Sequence, residues 1–292
     1  MKVLSPQVEF PYREAFSRNL GWVTEPEQPQ LMNSRVAIAG MGGVGGIHLL
    51  TLARLGIGSF NIADLDVFEW VNFNRQAGAA RSTLGLPKVE VMAEAALDIN
   101  PDLHLNLFRQ GVTEDNLDHF LRDVDVYVDG LDFFAFDIRA SLFAACRERG
   151  IPAVTAAPLG MGASLLVFMP GQMSFEEYFQ WQDRSDTERA IRFMVGLAPA
   201  LLHRTYLVDA SHVDLAARKG PSTPMACQLC AGVAATEVLK ILLGRGRVWA
   251  APHGHHFDAY RNRLSHTWRP GGNRNPLSRL AIAVATRRLG IK

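Results

Sequence analysis

The chain reads as short apolar runs alternating with stretches of helical spacing. Arg35-Val36-Ala37-Ile38-Ala39 is apolar on both faces and ends in glycine, the pattern of a buried parallel strand. Residues 45–56 then carry Ile47, Leu50 and Ala53 at helical spacing. Further strands are expected at 60–64, 103–108, 124–129 and 152–156, with helices at 88–99, 114–121 and 137–149 between them. Strands alternating with helices imply a mostly parallel sheet with right-handed crossovers. The alternation breaks at 163–169, a strand reached by a short glycine-rich connection and expected to pair antiparallel.

Beyond it, 170–224 shows one helical stretch, at 186–195, and a segment this long is often a substrate loop. A long apolar helix is expected at 225–243, strands at 247–250 and 255–260, and an amphipathic helix at 277–289. The expected architecture is α/β: a Rossmann-type, mostly parallel sheet with an antiparallel extension, a crossover loop and a C-terminal helix. Residues 1–34, broken by Pro6, Pro11, Pro26 and Pro29, form an arm with one short helix at 14–20. Residues 35–169 form the nucleotide-binding domain, 170–224 the crossover loop, and 225–292 the helix and strands that complete it.

Composition narrows the classes. The 292 residues are 48% hydrophobic, so a sizeable core is expected and disorder is excluded. A net charge of +1 gives no push toward nucleic acid or an anionic membrane. The helix at 225–243 carries Glu237 and Lys240 and reads as buried rather than membrane-spanning. Three cysteines and no signal-like start fit a cytoplasmic protein.

The chemistry begins at Gly40-Met41-Gly42-Gly43-Val44-Gly45-Gly46. A glycine turn between a strand and a helix aims backbone N–H groups and the positive helix end at a phosphate. The bland alternative is a tight turn with close packing. Asp64, closing the second strand, suits the ribose hydroxyls of a nucleotide. At this point NAD and ATP both remain open. Arg75 and Lys88 add two cations, and Asp132, past the fourth strand, adds a carboxylate. A nicotinamide site gives these no task. An ATP site uses the cations against the phosphates and the carboxylate for Mg²⁺.

The string Gly40–Gly45, Asp64-Leu65-Asp66, Asn72-Phe73-Asn74-Arg75-Gln76, Lys88 and Asp132 resembles the ThiF/MoeB/HesA family, bacterial relatives of ubiquitin-activating enzymes. The resemblance implies that ATP with Mg²⁺ is used to adenylate a carboxylate, either a small acid or the C-terminus of a small carrier protein or peptide. It implies that Gly40, Gly42, Gly43, Gly45, Asp64 and Asp66 line the nucleotide site. It assigns the phosphates to Asn72, Arg75 and Lys88, and the metal to Asp132. It also implies a homodimer in which an N-terminal arginine, Arg18 or next Arg13, reaches the other copy's ATP.

The pattern departs from the family at its cysteines. The two Cys-x-x-Cys pairs that hold structural zinc in many members are missing from their places, and no cysteine lies between Cys146 and Cys227 to form a thioester. Cys227-Gln228-Leu229-Cys230 is half a zinc site, which His253, His255 and His256 would have to complete. It also reads as a thiol activated by a helix start, or as two small apolar residues packed in a core, the preferred reading. The acceptor is expected near 155–224, where Pro158–Gly162, His203, Arg204, His212 and Arg218 lie. Three competing readings remain: a branch that dehydrates a threonylcarbamoyl nucleoside on tRNA, an NAD-linked oxidoreductase, and a non-catalytic nucleotide-binding scaffold.

Overall fold

Val36 and Ile38 of the first strand face one way and Ala37 and Ala39 the other, and all four are buried. A strand apolar on both faces needs a layer on each side, and that requirement organises the chain. The computed structural model describes residues 9–214 and 217–288. Its sheet runs β3-β2-β1-β4-β5-β6-β7-β8. The parallel part comprises β1 (Arg35–Ala39), β2 (Ser59–Ala63), β3 (His104–Phe108), β4 (Val126–Asp129) and β5 (Ala153–Leu159). The antiparallel extension adds β6 (Gly162–Phe168), β7 (His253–Asp258) and β8 (Arg263–Trp268).

Four expectations about the arm and the connections change. The arm forms α1 (Tyr12–Ala15), a 3₁₀ turn at Ser17–Asn19 and α2 (Glu27–Asn33), instead of one helix at 14–20. Pro29 sits in the first turn of α2, where its missing N–H has no intrahelical partner to lose. The helices that follow are α3 (Gly45–Leu55), α4 (Lys88–Ile99), α5 (Leu117–Phe120) and α6 (Phe136–Glu148). Helix α5 is shorter than its expected 114–121 because Asn116 holds the preceding turn: its side chain accepts from the Thr113 N–H and donates to the Gly111 carbonyl.

The segment expected as a loop at 170–224 is half core. It contains α7 (Phe175–Phe179) and α8 (Asp186–Leu197). Their Phe175, Phe179 and Phe193, with Trp181, join Phe136, Phe143 and Phe168 in an aromatic cluster on the Ala37 face of the sheet. The long helix is α9 (Pro224–Leu242), packed on β5, β6 and α3 on the opposite, Val36 face. By length and composition it alone among the described helices passes for a membrane span. Here it stacks Cys227, Cys230, Ala234 and Val238 against the core.

No strand forms at 247–250, contrary to expectation. The Arg247 carbonyl is taken by the Lys240 ammonium at 2.9 Å, and sheet contact resumes only where the Ala251 N–H meets the Val167 carbonyl at 2.7 Å. The hairpin of β7 and β8 follows. The chain ends in α10 (Pro276–Arg288), packed on α8. The start of the arm before Glu9 and the expected last helical residue, Leu289, lie outside the described residues.

Candidate functional site

The carboxyl ends of β1, β2 and β4 meet at the glycine turn. Gly40 has φ +88° and donates its N–H to the Ala63 carbonyl at 2.7 Å. A Cβ on Gly40 would run into the Gly130 carbonyl, and one on Gly45 into the Gly40 carbonyl. Only glycine fits both places. The turn feeds directly into α3, whose first N–H groups therefore point out of the sheet end.

Asp64 anchors this turn. Its Oδ2 accepts the Met41 N–H at 2.6 Å and its Oδ1 the Asp66 N–H at 2.8 Å. Burial raises its pKa, opposed by those two N–H groups and the Lys88 charge. Each carboxylate oxygen has a second lone pair, so a ribose hydroxyl fits without displacing either bond.

Lys88 opens α4 with its side chain only 8% exposed, its Nζ 3.0 Å from the carboxylate of Asp66, which is 59% exposed. A cation at the positive end of a helix and shielded from water is electrostatically unfavourable. Its placement therefore calls for anions. Asp66, also expected at the nucleotide site, is one such anion.

Asn72 is buried, and its Oδ1 accepts the Glu69 N–H at 2.9 Å, which leaves its amide N–H groups as donors to an anion. Arg75 reaches back over the turn: its Nε would lie 3.6 Å from a Cβ on Gly43, and its Nη1 bonds the Val71 carbonyl and Asn74 Oδ1. Gln76 lines Gly42 in the same way, with its buried Oε1 unpartnered. Asp132 is exposed past β4, its Oδ1 accepting the Phe134 N–H at 2.9 Å.

The structure thus gathers the glycines, Asp64, Asp66, Asn72, Arg75 and Lys88 around one turn, with Asp132 at the end of the adjacent strand. Arg18 is elsewhere. The arm docks on the far end of α3, where Asn19 bonds the Arg54 and Leu55 carbonyls and Tyr12 the Gly56 carbonyl. Eleven helical residues put that end about 16 Å from the chain's own glycine turn.

One pair of residues escaped the sequence reading. Arg139 and Asp129 form a buried ion pair at 2.9 Å beneath the Asp132 loop. The clue was Asp129 itself, an acid closing the apolar strand Val126-Tyr127-Val128, since a buried carboxylate needs a partner. Cys227 and Cys230 are buried in the core, as their preferred reading expected, and the Cys227 Sγ would lie 3.4 Å from a Cβ on Gly43. Burial pushes this thiol up, moderated by Ser222 and Arg75, the opposite direction from the one an activated thiol needs. Among the described residues no three His, Cys, Asp or Glu side chains gather to hold a metal, so the zinc set around Cys227 and Cys230 is not assembled.

The expected acceptor histidines and arginines do not converge. His212 lies by Asp209 and Arg218 pairs with Asp186, all on the surface. His203 alone turns inward, against Gly160 and the ring of His256.

The ThiF family model matches residues 16–280. The tRNA threonylcarbamoyladenosine dehydratase of Bacillus subtilis (strain 168) is 35% identical over 150 residues, 51% of this chain and 57% of that protein. The chain thus spans little more than half the length of that relative. The sulfur carrier protein ThiS adenylyltransferase of Escherichia coli (strain K12) is 32% identical over 174 residues, 60% of this chain and 68% of that one. Two solved structures share the fold at 19% identity. Escherichia coli MccB with ATP has a TM-score of 0.64 and covers 87% of this chain and 70% of its own. PaaA has 0.66, covering 91% and 76%. Glycine turn, acid, paired cations and sheet order together place the chain plainly: it belongs to the ThiF family.

Proposed function

We propose that the protein binds ATP with Mg²⁺ and adenylates a carboxylate. The carboxylate oxygen attacks the α-phosphorus, the bond to the β-phosphate oxygen breaks, and pyrophosphate leaves with an acyl-AMP remaining. The observation that carries this reading is Lys88, a shielded cation at a helix start beside the glycine turn. An NAD-linked oxidoreductase would leave that cation, Arg75 and Asp132 without a role.

Asp64 fixes the nucleoside end. The turn N–H groups and Asn72 hold the phosphates, and Arg75 and Lys88 offset the charge that grows on the leaving pyrophosphate. One exposed carboxylate, Asp132, fits Mg²⁺, which typically takes one or two carboxylates beside phosphate oxygens and keeps water. Bound there, the ion would supply further neutralisation of phosphate charge.

The substrate we favour is the carboxylate of a small carrier protein or peptide. One relative acts, by its name, on the sulfur carrier ThiS, and MccB was crystallised with MccA. A second reading is a threonylcarbamoyl nucleoside on tRNA, favoured by the 35% identity to the dehydratase. We also propose a homodimer, since Arg18 is remote from its own turn and serves a nucleotide only in another copy.

ATP–pyrophosphate exchange against C-terminal Gly-Gly peptides, small acids and threonylcarbamoylated tRNA tests this. Exchange with one class is expected. Absent ATP binding by calorimetry would sink the proposal, and monomeric sedimentation at micromolar protein would remove the dimer.

A further inference from the structure

The loop after β4 presents Asp132, and one buried side chain holds that loop. Arg139, on the first turn of α6, is 2% exposed. Its Nε donates to Asp129 Oδ2 at 2.9 Å. Its Nη2 donates to the Leu131 carbonyl at 2.9 Å and the Asp132 carbonyl at 2.8 Å. Its Nη1 donates to the carbonyls of Phe133 at 3.2 Å and Ala135 at 3.4 Å. All five guanidinium N–H groups are accounted for. The Phe193 ring lies over the guanidinium carbon at 4.7 Å. Asp129 is in turn held by the Thr155 hydroxyl at 3.0 Å and the Leu131 N–H at 3.2 Å.

Four of these bonds go to backbone carbonyls of one short loop, and only one to the acid. Neutralising Asp129 requires a single cation. Gathering carbonyls from 131, 132, 133 and 135 requires a planar fork. The fork draws those carbonyl oxygens inward, away from any phosphate at the sheet end, while the Asp132 side chain stays exposed. Pairing Asp129 also removes a second negative charge from beneath the same loop.

We propose that Arg139 is a positioning residue for metal–nucleotide binding, shaping the 130–135 loop so that Asp132 is the one carboxylate it offers. This rests on the Mg-ATP reading above. A lysine in its place keeps a charge opposite Asp129 but cannot make the fork, so it separates the two tasks.

The test is Arg139→Lys in the full chain, read by three measurements: thermal unfolding, amide exchange at 131–134 without nucleotide, and calorimetric ATP affinity with and without Mg²⁺. The variant is expected to fold and to bind metal-free ATP within about threefold of wild type. Its 131–134 amides should exchange at least about tenfold faster, and at least about tenfold of the Mg²⁺-dependent gain in affinity should vanish. Unchanged exchange and unchanged Mg²⁺ gain in a folded variant overturn the proposal. An equal loss of metal-free ATP affinity overturns it too, since the defect is then general. Should Arg139→Lys not fold, Asp129→Asn with Arg139→Met removes both charges and the same readings decide. A wild type that binds ATP without any Mg²⁺ gain overturns the metal role while leaving ATP binding intact; a wild type that binds no ATP removes the reading beneath it.

Discussion

The glycine-turn half of the sheet and the half beneath the crossover segment hold their polar groups in different ways. Around the turn, many partners are near in sequence, as Asp64 with Asp66, Asn72 with Glu69, Asp132 with Phe134 and Arg139 with the 131–135 carbonyls, and others sit on neighbouring elements, as Asp64 with Met41 and Lys88 with Asp66. Under the crossover segment, partners are far apart. Tyr206 donates to Asp258 Oδ2 at 2.7 Å and accepts the Met161 N–H at 2.9 Å. Thr223 bonds the Gly160 carbonyl, and Asn74 the Ser222 carbonyl. Local bonds form with the strand ends themselves, so the first site is built once β1, β2 and β4 pair. Distant bonds form only when the segment docks. The second region can therefore loosen without dismantling the first.

The largest expected effect strikes the built half. Gly45→Ala forces a Cβ into the Gly40 carbonyl. The turn must move, at a cost of about 3 kcal/mol in stability by the usual scale of overpacking. ATP binding should disappear with the turn geometry, while Gly220→Ala, in open space, should change neither. Thermal unfolding and calorimetry read both. A Gly45→Ala protein of wild-type stability and affinity would mean the turn is not fixed in advance.

Acid should strain both halves, because each buries a histidine with no partner on either ring nitrogen: His48 in α3 and His256 in β7. Burial pushes both down to about 4. A histidine kept neutral in the fold but protonating near pH 6.5 when unfolded stabilises fully above pH 6.5. That stability drains as pH falls toward 4. For the fully buried His48 the loss amounts to about 3 kcal/mol at most. Denaturant melts at pH 7 and pH 4.5 should show this slope, and His48→Leu should flatten it. A variant with the wild-type slope would assign the acid sensitivity elsewhere.

Lys88→Ala and Arg75→Ala test the site without touching its frame. On the proposed Mg-ATP reading each would remove a charge-assisted contact to phosphate, of about 2 kcal/mol, so ATP affinity should fall roughly thirtyfold. Lys88→Ala also leaves Asp66 unpaired, but that carboxylate is well exposed and stability should hardly change. Calorimetry showing intact affinity in both would break the assignment of these cations to a nucleotide.

The same contrast governs what could be read in the sequence. The Val36–Ala39 strand, the glycines, Asp64 and Lys88 were legible because their signals are short-range: a period of two, a turn residue, an acid at a strand end. Strand β8 was not, since Arg263, Ser265, His266 and Thr267 give an edge strand the polarity of a loop. Helix α7 was missed because five residues are too few for a helical period to show, although Ser174 and Glu177 form a capping box at its start. Arg139 was missed because a lone arginine in a helix reads as a surface cation. The contacts that bury it come from a loop whose path no periodicity encodes. Cys227 and Cys230 were legible as core residues, but the approach of Cys227 to the glycine turn was not, since Gly43 is far away in the chain.

The smallest effect belongs to the docked half. Tyr206→Phe keeps the ring and removes one hydroxyl, hence both the bond to Asp258 and the one from the Met161 N–H. Two hydrogen bonds of ordinary net worth come to about 2 kcal/mol, part of which water recovers at a half-buried site. The loss should stay local. The Met161 amide is expected to exchange about tenfold faster, with the amides of Leu202–Tyr206 following, while global unfolding and ATP affinity shift little. If ATP affinity instead drops as far as in Lys88→Ala, the two regions are one cooperative unit, and the segment's docking is part of building the nucleotide site.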